Sequence, residues 1–277
     1  MRCLLMTFAV VLALGPALRA GDDPPVAKRA EQSPRERFEA LSQEYNKAQQ
    51  EFLQAYQKLK TDEEREQLLE EKYPQPERYA PQFLELAEQN PKDPVAVDAL
   101  SWIVQHARKG TKVDRAIELL ARDYAEDRKL GSIVTILVYS SSPRAPELLR
   151  AVLDKNPSRE ARGQACFALA QLLVNQAGLV RQLATSPSLA KRLEPFYGKE
   201  GLDRLKKSNP DQLEKEAEGL FERIKQEFGD LKQEFGDLKH YRGPLAKAAE
   251  GELFELHHLA VGKEAPRSRA KTSTASR

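Results

Sequence analysis

Apolar positions recur at helical spacing from Phe38 onward. Phe38, Leu41, Tyr45, Ala48, Phe52, Ala55 and Leu59 follow one another in steps of 3, 4, 3, 4, 3 and 4. That rhythm lays one apolar stripe along a single long helix, of the kind coiled coils use. The start of the helix is written locally. Ser33 can cap free backbone N–H groups, Pro34 suits the first helical position, and Glu36 completes a capping box. A second, short helix is predicted over Glu63–Lys72, ending before the turn YPQP at 73–76. Residues 33–75 thus read as one long helical region.

From 76 to 178 the pattern changes to paired short helices. "FLELAEQNPKDPVAVDALSWIVQHA" (83–107) reads as helix, Asn-Pro break, helix, and "LRAVLDKNPSREARGQACFALAQLL" (149–173) reads the same way. Asn90-Pro91 and Asn156-Pro157 lie 66 residues apart, and Ala99 and Gln105 match Ala165 and Gln171 at that offset. "DRAIELLARDY" and "LGSIVTILVYSS" form a further helical pair between them. The spacing fits two units of about 33 residues, the size of helix-hairpin repeats. The diagnostic residues of tetratricopeptide repeats are not clear, so a helical-repeat stack and an irregular bundle with similar Asn-Pro stops both stay open. "GSIVTILVY" (131–139) has strand composition but no β-rich partner run, and is expected to be a buried helix.

Residues 179–256 are expected to hold an irregular segment, 179–209, and then a long helix capped by Asn209-Pro210. The stripe of that helix is Leu213, Ala217, Leu220, Ile224, Phe228, Leu231, Phe235 and Leu238. It contains a perfect tandem copy, "KQEFGDL" at 225–231 and again at 232–238. Seven residues are close to two helical turns, so a second copy keeps the same face with a drift of ~20°.

The first twenty residues stand apart. Arg2 precedes an apolar run from Leu4 to Leu14, too short to span a bilayer, then Gly15-Pro16 and a small-residue cleavage site ending at Ala20. Residues 1–20 are expected to be a secretory signal peptide, which places the product outside the cytoplasm, periplasmic or secreted, with no membrane span after cleavage. The polar stretch 21–32, with two prolines, reads as a flexible entry. The leader carries Arg2 and Arg19 and no acid, so the 44 basic and 42 acidic residues of the whole chain become 42 of each. Nothing in that balance argues for nucleic acid. Cys3 leaves with the leader, so Cys166 remains as a single thiol in an apolar helical stretch, a small core residue and no redox pair.

Candidate chemistry is sparse. The histidines are His106, His240, His257 and His258. Glu255 and His258 can share a helix face, but two ligands are short of the four a structural metal site wants. No phosphate loop, nucleophile elbow or HExxH helix appears. Trp102, near Ile103 and His106, reads as core. No catalytic, cofactor-binding or metal residue is assigned, and no cofactor is expected.

The most specific run is "AKAAEGELFELHHLAVGKEAP" (246–266). Val261-Gly262-Lys263-Glu264-Ala265-Pro266 resembles the entry motif of redoxin domains. These are the thioredoxin-fold group that includes peroxiredoxin-like and TlpA-like thiol–disulfide oxidoreductases. The whole run is similar to the junction in planctomycete-type secreted proteins that carry an α-helical N-terminal region before a TlpA-like domain. The resemblance implies that 257–266 is a linker into such a domain. It also implies that the Cys-x-x-Cys helix should follow, whereas the chain continues "RSRAKTSTASR". Skipping one base in a family-like run coding for Glu-Ile-Glu-Gly-Glu-Asp-Leu-Asp-Gly-Lys, with suitable codons, yields residues 267–276. The basic tail 267–277 is therefore expected to be disordered and out of frame, and the chain truncated before its catalytic domain.

These readings converge on an all-α protein with no thioredoxin fold. The expected role is a non-catalytic extracytoplasmic interaction or spacer module with a protein partner. Two alternatives are carried beside it. One is a fragment of a thiol–disulfide oxidoreductase whose catalytic domain lies in another frame. The other is a coiled-coil scaffold that oligomerises through the 33–60 helix.

Overall fold

A computed structural model of the chain describes residues 32–107, 109–231 and 243–258. The signal segment 1–20, residues 21–31, the second heptad copy, the linker from 259 and the tail lie outside the described residues. From Ser33 onward the chain is one unit, and among the described residues it is helical with no strand.

The long first helix, α1, runs Pro34–Lys58, and its capping box forms as the sequence directs: Glu36 N donates to Ser33 Oγ while Ser33 N donates to Glu36 Oε2 at 2.7 Å. α2 spans Asp62–Lys72 behind a second capping box between Thr61 and Glu64. The α1 stripe packs inward. Tyr45 and Phe52 are buried, and Phe38 and Leu41 pack against the core. Tyr45 sits edge-on to Trp102 at 5.0 Å and to Tyr79 at 5.3 Å. Phe38, Leu41, Tyr45 and Phe52 of the stripe that suggested a coiled coil pack against residues of their own chain.

Those helices belong to a stack of pairs. α3 (Ala80–Gln89) pairs with α4 (Pro94–His106). α5 (Thr111–Asp123) is followed by a 3₁₀ turn, the short α6 (Gly131–Val134) and a 3₁₀ segment Thr135–Tyr139. α7 (Ala145–Lys155) pairs with α8 (Arg159–Thr185). α5 lies between α3 and α7, and α6 lies between α4 and α8, giving two rows of helices. The segment 131–139 is helical as expected, but it changes pitch halfway. Ile133, Val134, Leu137 and Val138 are buried while Tyr139 is 86% exposed, so a single amphipathic helix does not describe it.

The two Asn-Pro stops prove chemically different. Asn90 donates from Nδ2 to Leu86 O at the end of its own helix. Asn156 is fully buried. Its Nδ2 reaches Ala125 O and Asp127 O, both at 2.8 Å, and its Oδ1 accepts from Ser158 N. One trims a helix end, and the other fastens the α7–α8 turn to the loop after α5. The helices they introduce begin 65 residues apart, at Pro94 and Arg159, so Ala99 and Ala165 fall one position out of register.

Two further differences follow the stack. The segment 179–209, expected to be irregular, is helical: α8 continues to Thr185, and α9 runs Pro187–Lys207. The irregular signal came from Pro195 and Gly198. Their effect is local, a break at Gly198 with φ 65° and ψ 166°, a backbone region essentially reserved for glycine. α9 and the end of α8 share a small core of their own, Val180, Leu183, Leu202 and Leu205.

The predicted long helix over 210–238 stops early. α10 spans Pro210–Arg223, passes through a π-helical turn Ile224–Phe228, and ends in a turn at Gly229 and Asp230. The last helix, α11 (Leu245–His258), explains why. Ala246 N donates to Gly229 O and Leu245 N donates to Leu231 O. A Cβ at residue 229 would stand 2.8 Å from Lys225 O and 3.1 Å from the Ala246 methyl. The first heptad's glycine therefore admits α11 and closes the helix. Its other residues are fixed by α8. Arg159 grips the Asp230 carboxylate with both terminal guanidinium nitrogens and lies over the Phe228 ring, and Gly163 leaves room for Leu231.

Candidate functional site

A cleft of about 650 Å³ lies between the start of α5, the loop leading into α7 and the break in α9. Gly110, at φ 105°, turns the chain into α5 without a side-chain cap. The α9 break leaves Phe196 53% exposed at the rim, with Lys109 Nζ 5.3 Å from its ring centre. Tyr197 is half-buried beside it, and burial raises its phenol pKa.

The chemistry of this cleft is limited. Lys109, Lys112, Lys199 and Arg204 are matched by Glu77, Asp114, Glu194 and Glu200 among the lining residues, so the lining carries no net formal charge. Among its hydroxyls, Ser142 Oγ donates to Asp114 Oδ1 and accepts from Arg144 N. A serine held this way shapes the entry into α7.

The residues singled out in the sequence are scattered. Trp102 stacks between Phe83 at 4.0 Å and His106 at 4.4 Å. His106 Nδ1 lies 2.9 Å from Trp102 O, and burial lowers its pKa despite that bond. Cys166 is fully buried, its Sγ 3.6 Å from Leu220 O, and burial pushes its thiol up to about 12. His257 turns to Glu218 on α10 at 2.8 Å, away from the Glu255–His258 pairing. No cluster of three metal-ligating side chains occurs among the described residues. No described helix is long and apolar enough to cross a membrane.

A second surface is the arm formed by α2 and the outer half of α1. No α2 residue is buried. Arg65 ties the helix back, donating to Leu59 O and lying 5.6 Å from the Tyr56 ring centre, and Tyr73 meets Phe52 edge-on at 5.5 Å. Leu53, Leu69 and Tyr73 are exposed on this arm, three of the seven large apolar residues exposed among those described. The sequence carried this signal as Leu68-Leu69 within an acidic run, which reads at first as a solvated helix. The Phe196 rim was announced only by Pro195 and Gly198.

No protein-family model matches the chain, and neither a curated protein nor a solved structure matches it.

Proposed function

We propose that the chain is a non-catalytic, extracytoplasmic helical module that displays interaction surfaces and spaces a following domain. It would correspond to the N-terminal part of a redoxin-domain protein. The observation that carries this reading is the way the helical unit finishes. α11 seals the stack with Leu245, Ala249, Leu253 and Leu256 turned inward, and the described residues end with it at His258. The run resembling a redoxin entry, Val261 to Pro266, begins three residues on. A closed helical unit directly before that run is the arrangement the resemblance implies.

The chemistry of Cys166, the cysteine among the described residues, points the same way. A cysteine with its thiol near 12 is not a nucleophile at neutral pH. Stacked helix pairs offer extended surfaces for partners. The purified chain is expected to show no turnover in an insulin disulfide-reduction assay, and clear turnover would overturn the reading. Sequencing the gene through codon 266 addresses the family assignment separately. A thioredoxin-like frame displaced by one base is expected there.

A further inference from the structure

The outer face of α2 carries more than its solvent exposure explains. Helical spacing places Glu63, Glu66, Leu69, Glu70 and Tyr73 on one side, and every one of them is exposed. Glu63, Glu66 and Glu70 have no ion pair among the described residues. The other acids are engaged: Glu64 in the capping box, Asp62 with Arg65, and Glu71 with Gln67. α2 holds six acidic residues against two basic ones. An isolated helix of eleven residues is marginal in water, and this one contributes no buried side chain to the core. Its apolar side chains continue toward α1, because the Tyr73 ring touches Phe52, and Leu53 is the next residue.

We infer that this face is a docking surface for a basic amphipathic helix of a protein partner. Leucines or aromatic residues of the partner would seat on Leu69 and Tyr73, and its lysines or arginines would meet Glu63, Glu66 and Glu70. Charge decides the occupant. A second copy of α2 would set acids against acids, and an anionic lipid surface would be repelled. The chain's own basic tail, 267–277, has no apolar residue larger than alanine and cannot fill the apolar half of the face. The inference rests on the interaction-module reading and gives it a location and a partner chemistry.

The test uses the full chain from residue 21, labelled for fluorescence anisotropy. The probe is a synthetic lysine–leucine peptide patterned as an amphipathic helix. A scrambled peptide of identical composition and a glutamate–leucine peptide serve as controls. Binding of the patterned peptide is expected, weakening at least tenfold in Leu69→Ala/Tyr73→Ala and in Glu66→Gln/Glu70→Gln, and falling with added salt. These side chains are exposed, so circular dichroism should show both variants folded. Equal binding of the scrambled peptide, unchanged binding by the two variants, or no binding at all overturns the inference. Dimerisation by sedimentation that the Leu69/Tyr73 variant abolishes would overturn it too, in favour of a second copy. None of these outcomes involves disulfide reduction, so the inference can fail while the interaction-module reading stands.

Discussion

Glu252 is a residue whose position on α11 works against its charge. Its carboxylate accepts from Gln171 on α8 at 3.0 Å. Burial raises its pKa, the Gln171 bond only partly counters this, and Glu255 one turn on adds to the rise. The folded form therefore binds a proton more readily than the unfolded chain. Stability from this group is full below the unfolded value near 4.5 and is lost as pH rises through the folded value. Glu252→Gln keeps an acceptor for Gln171 and removes the partly buried charge. The substitution should raise the urea midpoint at pH 7 and bring no such gain at pH 4. Equal gains at both pH values would show that charge is not the cause. Nothing in the sequence marked Glu252 among its many acids, because burial of a helix face depends on which neighbour covers it. Ser33 and Glu36 were legible, since a capping box is completed within four residues of chain.

At the scale of elements, the tandem heptad shows where periodicity misleads. Both copies fit one stripe, yet the helix closes on the first because Gly229 lets Ala246 approach. That contact joins residues far apart in sequence and has no local signature. Removing either copy leaves the same sequence, with "KQEFGDL" still able to meet Arg159, Gly163 and Ala246. The connection from Leu231 to Gly243 would fall from eleven residues to four. Loop closure changes by about 0.6 kcal/mol per doubling of length, so stability should move by no more than about 1 kcal/mol. Phe228→Ala, which empties a buried site, should cost about 3–5 kcal/mol. Urea titration of both variants checks the contrast, and a large loss on deletion would show that the second copy packs.

Across the whole molecule, the stack and the α9 unit are built to different standards. α8 is buried along its first half by α7, α10 and α6, while α9 rests on α8 through a four-residue core and carries the break at Gly198. Few buried contacts mean a low local opening free energy. Native-state hydrogen exchange should therefore release α9 amides well before those of α8 between Ala165 and Leu173. Matching rates would mean that α9 opens only with the whole. The all-α class was readable from the chain, because the helical spacing extends through almost every segment. The layering was not, since which rows face each other depends on contacts such as Asn156 with Ala125 and Asp127.

One carboxylate has a consequence for how the chain is made. Asp98 is drawn below its usual range, burial notwithstanding, because Lys129 and Arg35 both donate to it. It thereby joins α1 to a loop that emerges roughly 70 residues after α1 ends. At about 5–20 residues per second of synthesis, the stripe of Phe38, Tyr45 and Phe52 waits on the order of several seconds for Phe83, Trp102 and Tyr73 to cover it. The first helix to be made is shielded only once α3 and α4 have followed it. Through that interval it offers a sticky apolar ribbon to whatever escorts the nascent chain.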